Sequence, residues 1–322
     1  MHLDLARELK AHLSTRLAAS AAPVTASDLA GRSWARPALG LAPVAPGQAH
    51  LAIRLSNKDD VDPLVEGLPD TVLGELDIRV IGAVHALSSP GQLQQRTRPL
   101  HPGLSVGHPA VSAGTLGGFV HRGGRLALLS NSHVLAASGA AVLGDAVLQP
   151  GTADGGRGNT DRVASLSAFE PFRAEGGANL VDAAVADLDA EVPVEPGRLP
   201  GGPLIGAVLP VDDVDPDVQV EKVGRTTGHT LGRITAIEVD GVTVQYDDAV
   251  HVFDDQVEIE GLAGAFSAGG DSGSVVWRSG DRAPLGLLFA GSDTGGSNGG
   301  GVTFANPLAT VLEVLGLEWL PA

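Results

Sequence analysis

Gly269-Gly270-Asp271-Ser272-Gly273-Ser274 sets a serine among glycines, where the chain can turn sharply enough to expose Oγ and to aim backbone N–H groups at one point. That is what an oxyanion hole needs, although glycine-serine turns are common on their own. Upstream, Leu128-Leu129-Ser130-Asn131-Ser132-His133-Val134-Leu135-Ala136 reads as an apolar strand that ends in a histidine and then turns. Imidazole, with an unperturbed pKa of about 6.5, is suited to take a proton from a serine near neutral pH. Between them, Asn179-Leu180-Val181-Asp182-Ala183-Ala184-Val185-Ala186 carries one carboxylate into an apolar strand. A buried acid needs a partner, and an imidazole N–H supplies one. Asp187 and Asp189 compete for that role but fall nearer the strand's polar end, so Asp182 is favoured.

Around these three blocks, short apolar runs recur from Gly103 onward between Gly, Pro, Asn and Asp turns, at 115–120, 126–129, 146–149, 183–187, 218–223, 234–239, 242–246, 274–277 and 285–289. Such spacing predicts a mainly β sandwich or pair of barrels. Gly 44 and Pro 21 in 322 residues amount to roughly a fifth, below the level of about 25–30% that marks disorder. The divisions expected are a helix and linker arm over 1–47, a small α+β module over 48–100, a first barrel over 101–198, and a second barrel with a C-terminal helix over 199–322. The helix is read from Leu5, Leu9, Leu13 and Leu17 at spacing four. The module is read as strand, helix, strand at 51–55, 60–68 and 76–81.

A formal charge of −17 offers nothing to attract a phosphate backbone or an anionic membrane. With Cys 0, disulfides, thiolate metal sites and a cysteine nucleophile are excluded. No stretch reaches the roughly 18–20 apolar residues of a membrane span, and the N-terminal residues mix charges of both signs rather than forming a secretory signal. The expectation is therefore a cytoplasmic protein without nucleic-acid or membrane partners. The acidic run at 212–217 lacks the twelve-residue loop and closing glutamate of a calcium site, so no metal and no cofactor are expected. The glycine-rich run at 295–301 lacks the Gly-Lys-Ser/Thr of a phosphate loop and reads as a flexible pocket rim.

The order His133, Asp182, Ser272 is that of the chymotrypsin arrangement, not of subtilisin or the α/β-hydrolases. Leu129-Ser130-Asn131-Ser132-His133-Val134-Leu135, Val181-Asp182-Ala183-Ala184-Val185 and Gly270-Asp271-Ser272-Gly273-Ser274 resemble the catalytic blocks of chymotrypsin-like (trypsin-like, PA clan) serine peptidases. Ser105-Val106-Gly107-His108-Pro109, Ala113-Gly114-Thr115-Leu116-Gly117, Lys222-Val223-Gly224-Arg225-Thr226-Thr227-Gly228 and Leu287-Leu288-Phe289-Ala290-Gly291-Ser292 are similar to a cytoplasmic bacterial branch related to the plant narrow-leaf trypsin-like proteins. The resemblance covers about 103–316. It implies two six-stranded barrels with the site between them, a His133-Asp182-Ser272 triad, an oxyanion hole from the Gly270 and Ser272 N–H groups, a protein or peptide substrate, and a homo-oligomer.

Two departures matter. The acid that trypsin places six residues before its serine corresponds to Phe266, so the pocket is expected to favour small or apolar side chains over Lys or Arg, with Phe266 and Ser267 at its base and Phe289, Ala290 and Gly291 as a wall. No internal cleavage site yields an Ile-Val-Gly-Gly-like N-terminus to pair with Asp271. Either Asp271 finds another partner, or the turn waits for oligomerisation or a ligand to order it. The competing functions are a peptidase-fold interaction scaffold, or latent protease, and an esterase.

Overall fold

The computed structural model describes residues 1–20, 37–55, 65, 68–81, 84–85, 91–158, 160–173, 177–211, 214–215, 217–246 and 249–321. The helix expected at 60–68 and residues 21–36 of the arm expected over 18–47 lie almost wholly outside these residues, and the later part of that arm is a strand, Ala38–Ala45, instead of a linker. In the N-terminal helix Leu3–Ser20, Ala6 and Leu13 are fully buried while Leu5 is 54% exposed. The inward face thus runs through Leu3, Ala6, Leu9, Leu13 and Leu17, one step round from the spacing-four stripe. Its polar side is tethered by Lys10 to Asp240 (3.1 Å) and by Arg7 to Glu238 (2.6 Å). Next come β1 (Ala38–Ala45) and β2 (Gln48–Leu55), an antiparallel hairpin turned at Gly47 with φ 70°. β1 lacks sequence periodicity because Ala38 to Ala42 are all buried, under no alternating pattern. β3 (Leu76–Val80) lies parallel to β2, and β4 (Val84–His85) follows.

The first barrel consists of β5 (Ser105–Val106), β6 (Gly114–Thr115), β7 (Gly118–Arg122), β8 (Arg125–Ser130), β9 (Ala146–Leu148), β10 (Arg162–Phe169) and β11 (Ala184–Leu188). Its sheet runs β7-β8-β11-β10-β9. β5 pairs with β6, which leads straight into β7, and a Gly107 to Leu148 bridge joins the end of β5 to β9 and closes the ring. Phe119, Leu128, Leu135, Val147, Val163 and Leu166 fill it.

The second barrel is built from β12 (Gln219–Gly224), β13 (Gly228–Asp240), β16 (Gln256–Gly261), β17 (Val275–Arg278), β18 (Pro284–Gly295) and β19 (Gly301–Pro307). Every neighbour in the circuit β12-β13-β16-β19-β18-β17 is antiparallel, and β17 returns to β12, so the ring is closed. The hairpin β14 (Val242–Gln245) and β15 (Val250–Phe253) projects between β13 and β16. The chain is therefore mainly β, with the barrels and C-terminal helix (Leu308–Leu315) that the apolar runs predict.

Three seams fix the site. Leu129, Val181, Val185, Val223, Val275, Trp277 and Leu287 form one apolar cluster joining the two barrels, each large side chain stabilising by about 1.5–3 kcal/mol when buried. β1 pairs with the far half of β13, extending the second barrel's sheet into the N-terminal part. β4 lies between β14 and β18, antiparallel to β18 at Gly291 and Ser292. Among the described residues, no helix is long and apolar enough to cross a membrane.

Candidate active site

β8 ends in Ser130 and passes through Asn131 into the helical turn Ser132–Leu135, which projects His133. Asp182 stands just before β11, the neighbour of β8, with Ala184 opposite Ser130. Pairing of these two strands therefore brings the histidine to the acid. His133 Nδ1 lies 2.5 Å from Asp182 Oδ2, and the His133 main-chain N–H donates to Asp182 Oδ1 at 3.1 Å. Asp182 is fully buried, and its main chain is fixed as well. Its N–H donates to Asn306 Oδ1 (3.0 Å), and its carbonyl accepts from Asn131 Nδ2 (2.7 Å).

A further donor comes from Tyr246, just after β14: its hydroxyl reaches Asp182 Oδ2 at 2.8 Å. Burial, followed by the charge of Asp182 and the hydrogen bond to it, pushes the phenol well above its usual 10.0, so it remains a neutral donor. The tyrosine and imidazole centroids are 5.5 Å apart.

Ser272 lies in the turn between β16 and β17, and the first barrel meets this turn through Thr115 N–H, which donates to the Ser272 carbonyl at 2.7 Å. The Ser272 hydroxyl is turned toward the Phe289 carbonyl oxygen at 3.3 Å rather than toward His133. Gly270 adopts φ 85°, a conformation glycine accepts without cost. Its carbonyl accepts from Thr115 Oγ1 at 2.7 Å, and that of Gly269 accepts from Thr226 Oγ1. With the carbonyls so held, the N–H groups of Gly270 and Ser272 have no partner among the described residues.

Asp271, between them, is fully buried and finds its partner in Lys222 of β12, whose Nζ lies 3.1 Å from Oδ2. Oδ2 also accepts from Ala268 N–H (2.9 Å) and Thr227 Oγ1 (2.6 Å), and Oδ1 accepts from the N–H groups of Thr226 (2.9 Å) and Thr227 (3.2 Å). Burial pulls the Lys222 ammonium below its usual 10.5, against the opposing pull of Asp271. The adjoining Arg225 packs over Gly270 and is held by Asp154 of the first barrel at 2.7 and 2.8 Å.

The five positions read as a pocket are divided. The Phe266 ring is buried against Gly232 and beneath Lys222, and Phe289 packs on Phe253, so both aromatic side chains face the core. Ala290 is likewise in the core. Ser267 and Gly291 do meet: a Cβ on Gly291 would stand 3.5 Å from Ser267 Oγ, which bonds Thr303 Oγ1 at 2.7 Å. Tyr246, Asn306 and Thr303 escape the sequence reading, and Lys222 and Arg225 enter it only inside the block 222–228, without a role. Among the described residues, no group of acids and histidines is arranged to hold a metal.

No family description and no curated protein matches this sequence. Solved structures that resemble it include serine proteases. Protease A of Thermobifida fusca is 19% identical with a TM-score of 0.46, and a glutamic-acid-specific serine protease is 18% identical with 0.47. Cellulomonas bogoriensis chymotrypsin is 18% identical with 0.45. In each case 69% of this chain aligns with the whole of the other.

Proposed function

We propose that this chain is a serine endopeptidase. The observation that carries the reading is the commitment of a fully buried carboxylate, Asp182, to both the ring and the main chain of His133, since a buried charge is costly unless paired and hydrogen-bonded and the imidazole is the partner it takes. Ser272, after turning its hydroxyl from Phe289 to His133, attacks the scissile carbonyl. His133 takes the proton and returns it to the leaving amine, while Asp182 fixes the tautomer and stabilises the imidazolium. The unengaged N–H groups of Gly270 and Ser272 receive the oxyanion. Lys222 supplies the cation that Asp271 needs, which supports an ordered turn without a newly cut N-terminus. Ser267, Thr303 and Gly291 favour a small, uncharged residue before the scissile bond.

Cleavage of a proteome-derived peptide library tests this. Cuts after small uncharged residues, absent with Ser272→Ala, are expected; rapid cutting after Lys or Arg would refute the specificity.

Two observations favour a latent form of the same enzyme as a second reading. An extended peptide adding to the edge of β18 would need Gly291 and Ser292, which already pair with His85 and Val84. The Ser272 hydroxyl is also engaged by the Phe289 carbonyl instead of by His133. If the enzyme is latent, His85→Pro raises peptide turnover severalfold without raising stability; unchanged turnover removes this reading.

A further inference from the structure

We infer that Tyr246 is a positioning residue for the acid and histidine, holding the Asp182 carboxylate in the plane where its Oδ2 meets His133 Nδ1; the inference rests on the serine-peptidase reading. A carboxylate oxygen offers about two lone-pair directions. At Oδ2 one is taken by His133 Nδ1 at 2.5 Å and the other by the Tyr246 hydroxyl at 2.8 Å, while Oδ1 is held by the His133 N–H at 3.1 Å. Rotation of the carboxylate about its own axis would break all three bonds together.

The tyrosine is itself immobilised. Its ring packs on Phe172 (5.1 Å), His251 (5.7 Å) and Phe253 (6.3 Å), and its N–H donates to the Ala249 carbonyl at 2.8 Å. The hairpin that carries it, together with the start of β16, also grips the chain leading into Asp182. Asn179 N–H donates to the Val252 carbonyl (2.8 Å), Asp254 N–H to the Asn179 carbonyl (2.9 Å), and Gln256 Nε2 to the Leu180 carbonyl (2.9 Å). An acid belonging to the first barrel is thus set in place by a hairpin of the second. The buried phenol needs an acceptor, and the one it takes is the carboxylate oxygen that faces the imidazole.

The test is Tyr246→Phe, which keeps the ring and removes only the donor. Because the phenol draws charge from Oδ2, its loss leaves the carboxylate a stronger partner for the imidazolium. The acidic limb of kcat/KM is therefore expected to move to higher pH, with kcat falling about tenfold, as for a lost hydrogen bond to a charged group, and KM unchanged. His251, the other titratable ring against Tyr246, is separated by His251→Gln, which leaves the limb in place. The low-field proton resonance of His133 Nδ1–H, which needs no turnover, shifts in Tyr246→Phe. A folded Tyr246→Phe with reduced thermal stability but unchanged limb, kcat and resonance overturns the inference. Absence of peptide turnover from both the wild type and the His85→Pro variant, with the Tyr246→Phe resonance shift intact, instead refutes the peptidase reading and leaves the positioning role standing.

Discussion

Asp182 is fully buried with both carboxylate oxygens engaged, so its charge serves the imidazole rather than solvent. Asp182→Asn, which preserves shape but permits the wrong histidine tautomer, is expected to lower kcat by about 10⁴ while the protein stays folded. A fall of less than tenfold would argue against a tautomer-setting role. Tyr246 is the chain's single tyrosine, so tyrosinate absorbance reports it alone. Its folded pKa lies well above 10.0; the native state then holds a proton that the unfolded chain has lost. Stability from this group is intact below about pH 10 and falls as pH rises beyond it. An alkaline titration should show no tyrosinate until the protein unfolds, and a freely titrating phenol near 10 would show that the hydroxyl is not sequestered. The meeting of His133 with Asp182 was legible because residue type and place along two strands announce it. Tyr246 and Asn306 were not, because each lies far from Asp182 in sequence and only barrel closure brings them together.

Among the elements, the turn from Ser267 to Ser274 is the one whose conformation decides whether N–H groups face a substrate. Its anchor is the Lys222–Asp271 pair, both members having no side-chain exposure. Removing one partner of a buried pair leaves the other uncompensated and costs about 3–5 kcal/mol. Lys222→Met is thus expected to lower the denaturation midpoint sharply and to suppress reaction at Ser272 even in the fraction that remains folded. Full reactivity at Ser272 in that variant would mean that the turn does not depend on the pair. Gly270→Ala separates conformation from charge. At φ 85°, with the new Cβ directed into the Arg225 guanidinium, it should abolish turnover while the barrels persist in circular dichroism. The sequence left open whether Asp271 finds another partner or the turn waits to be ordered; that the partner is Lys222 waited for β12 to lie beneath the turn. β1 was unreadable for a related reason: a strand covered on both faces shows no alternation.

Across the whole molecule, the barrels and the N-terminal strands are one continuous structure held by buried charges at their seams. Arg225 and Asp154 join barrel to barrel at 2.7 and 2.8 Å. Arg54 joins β2 to Glu258 of β16 at 2.5 and 2.8 Å and to Asp77 of β3 at 2.8 Å. Burial would raise Asp77, but the charges and hydrogen bonds of Arg54 and Arg79 outweigh it and hold the carboxyl below its usual 3.8. For Glu260, burial is likewise outweighed, by hydrogen bonds from Ser297 and Asn298 and the charges of Arg233 and Arg79, leaving it below 4.5. Carboxyls depressed in the folded state contribute stability that is present above their unfolded values and is lost as pH falls through the folded ones. Stability measured by denaturant should therefore decline below about pH 4.5, and Asp77→Asn should flatten that decline; an unaltered acid profile would show that the seam does not govern it. The mainly β class was legible from the apolar runs, and barrels rather than a sandwich only from the resemblance. The seams were not, because each joins segments far apart in sequence.

The most direct measurement is labelling with a fluorophosphonate probe and mass mapping of the adduct, on the wild type and on Ser272→Ala and His133→Ala. A serine activated by His133 and Asp182 predicts stoichiometric phosphonylation at Ser272, absent from both variants. A folded wild-type protein that takes no label at Ser272, or labels equally well without His133, would contradict it.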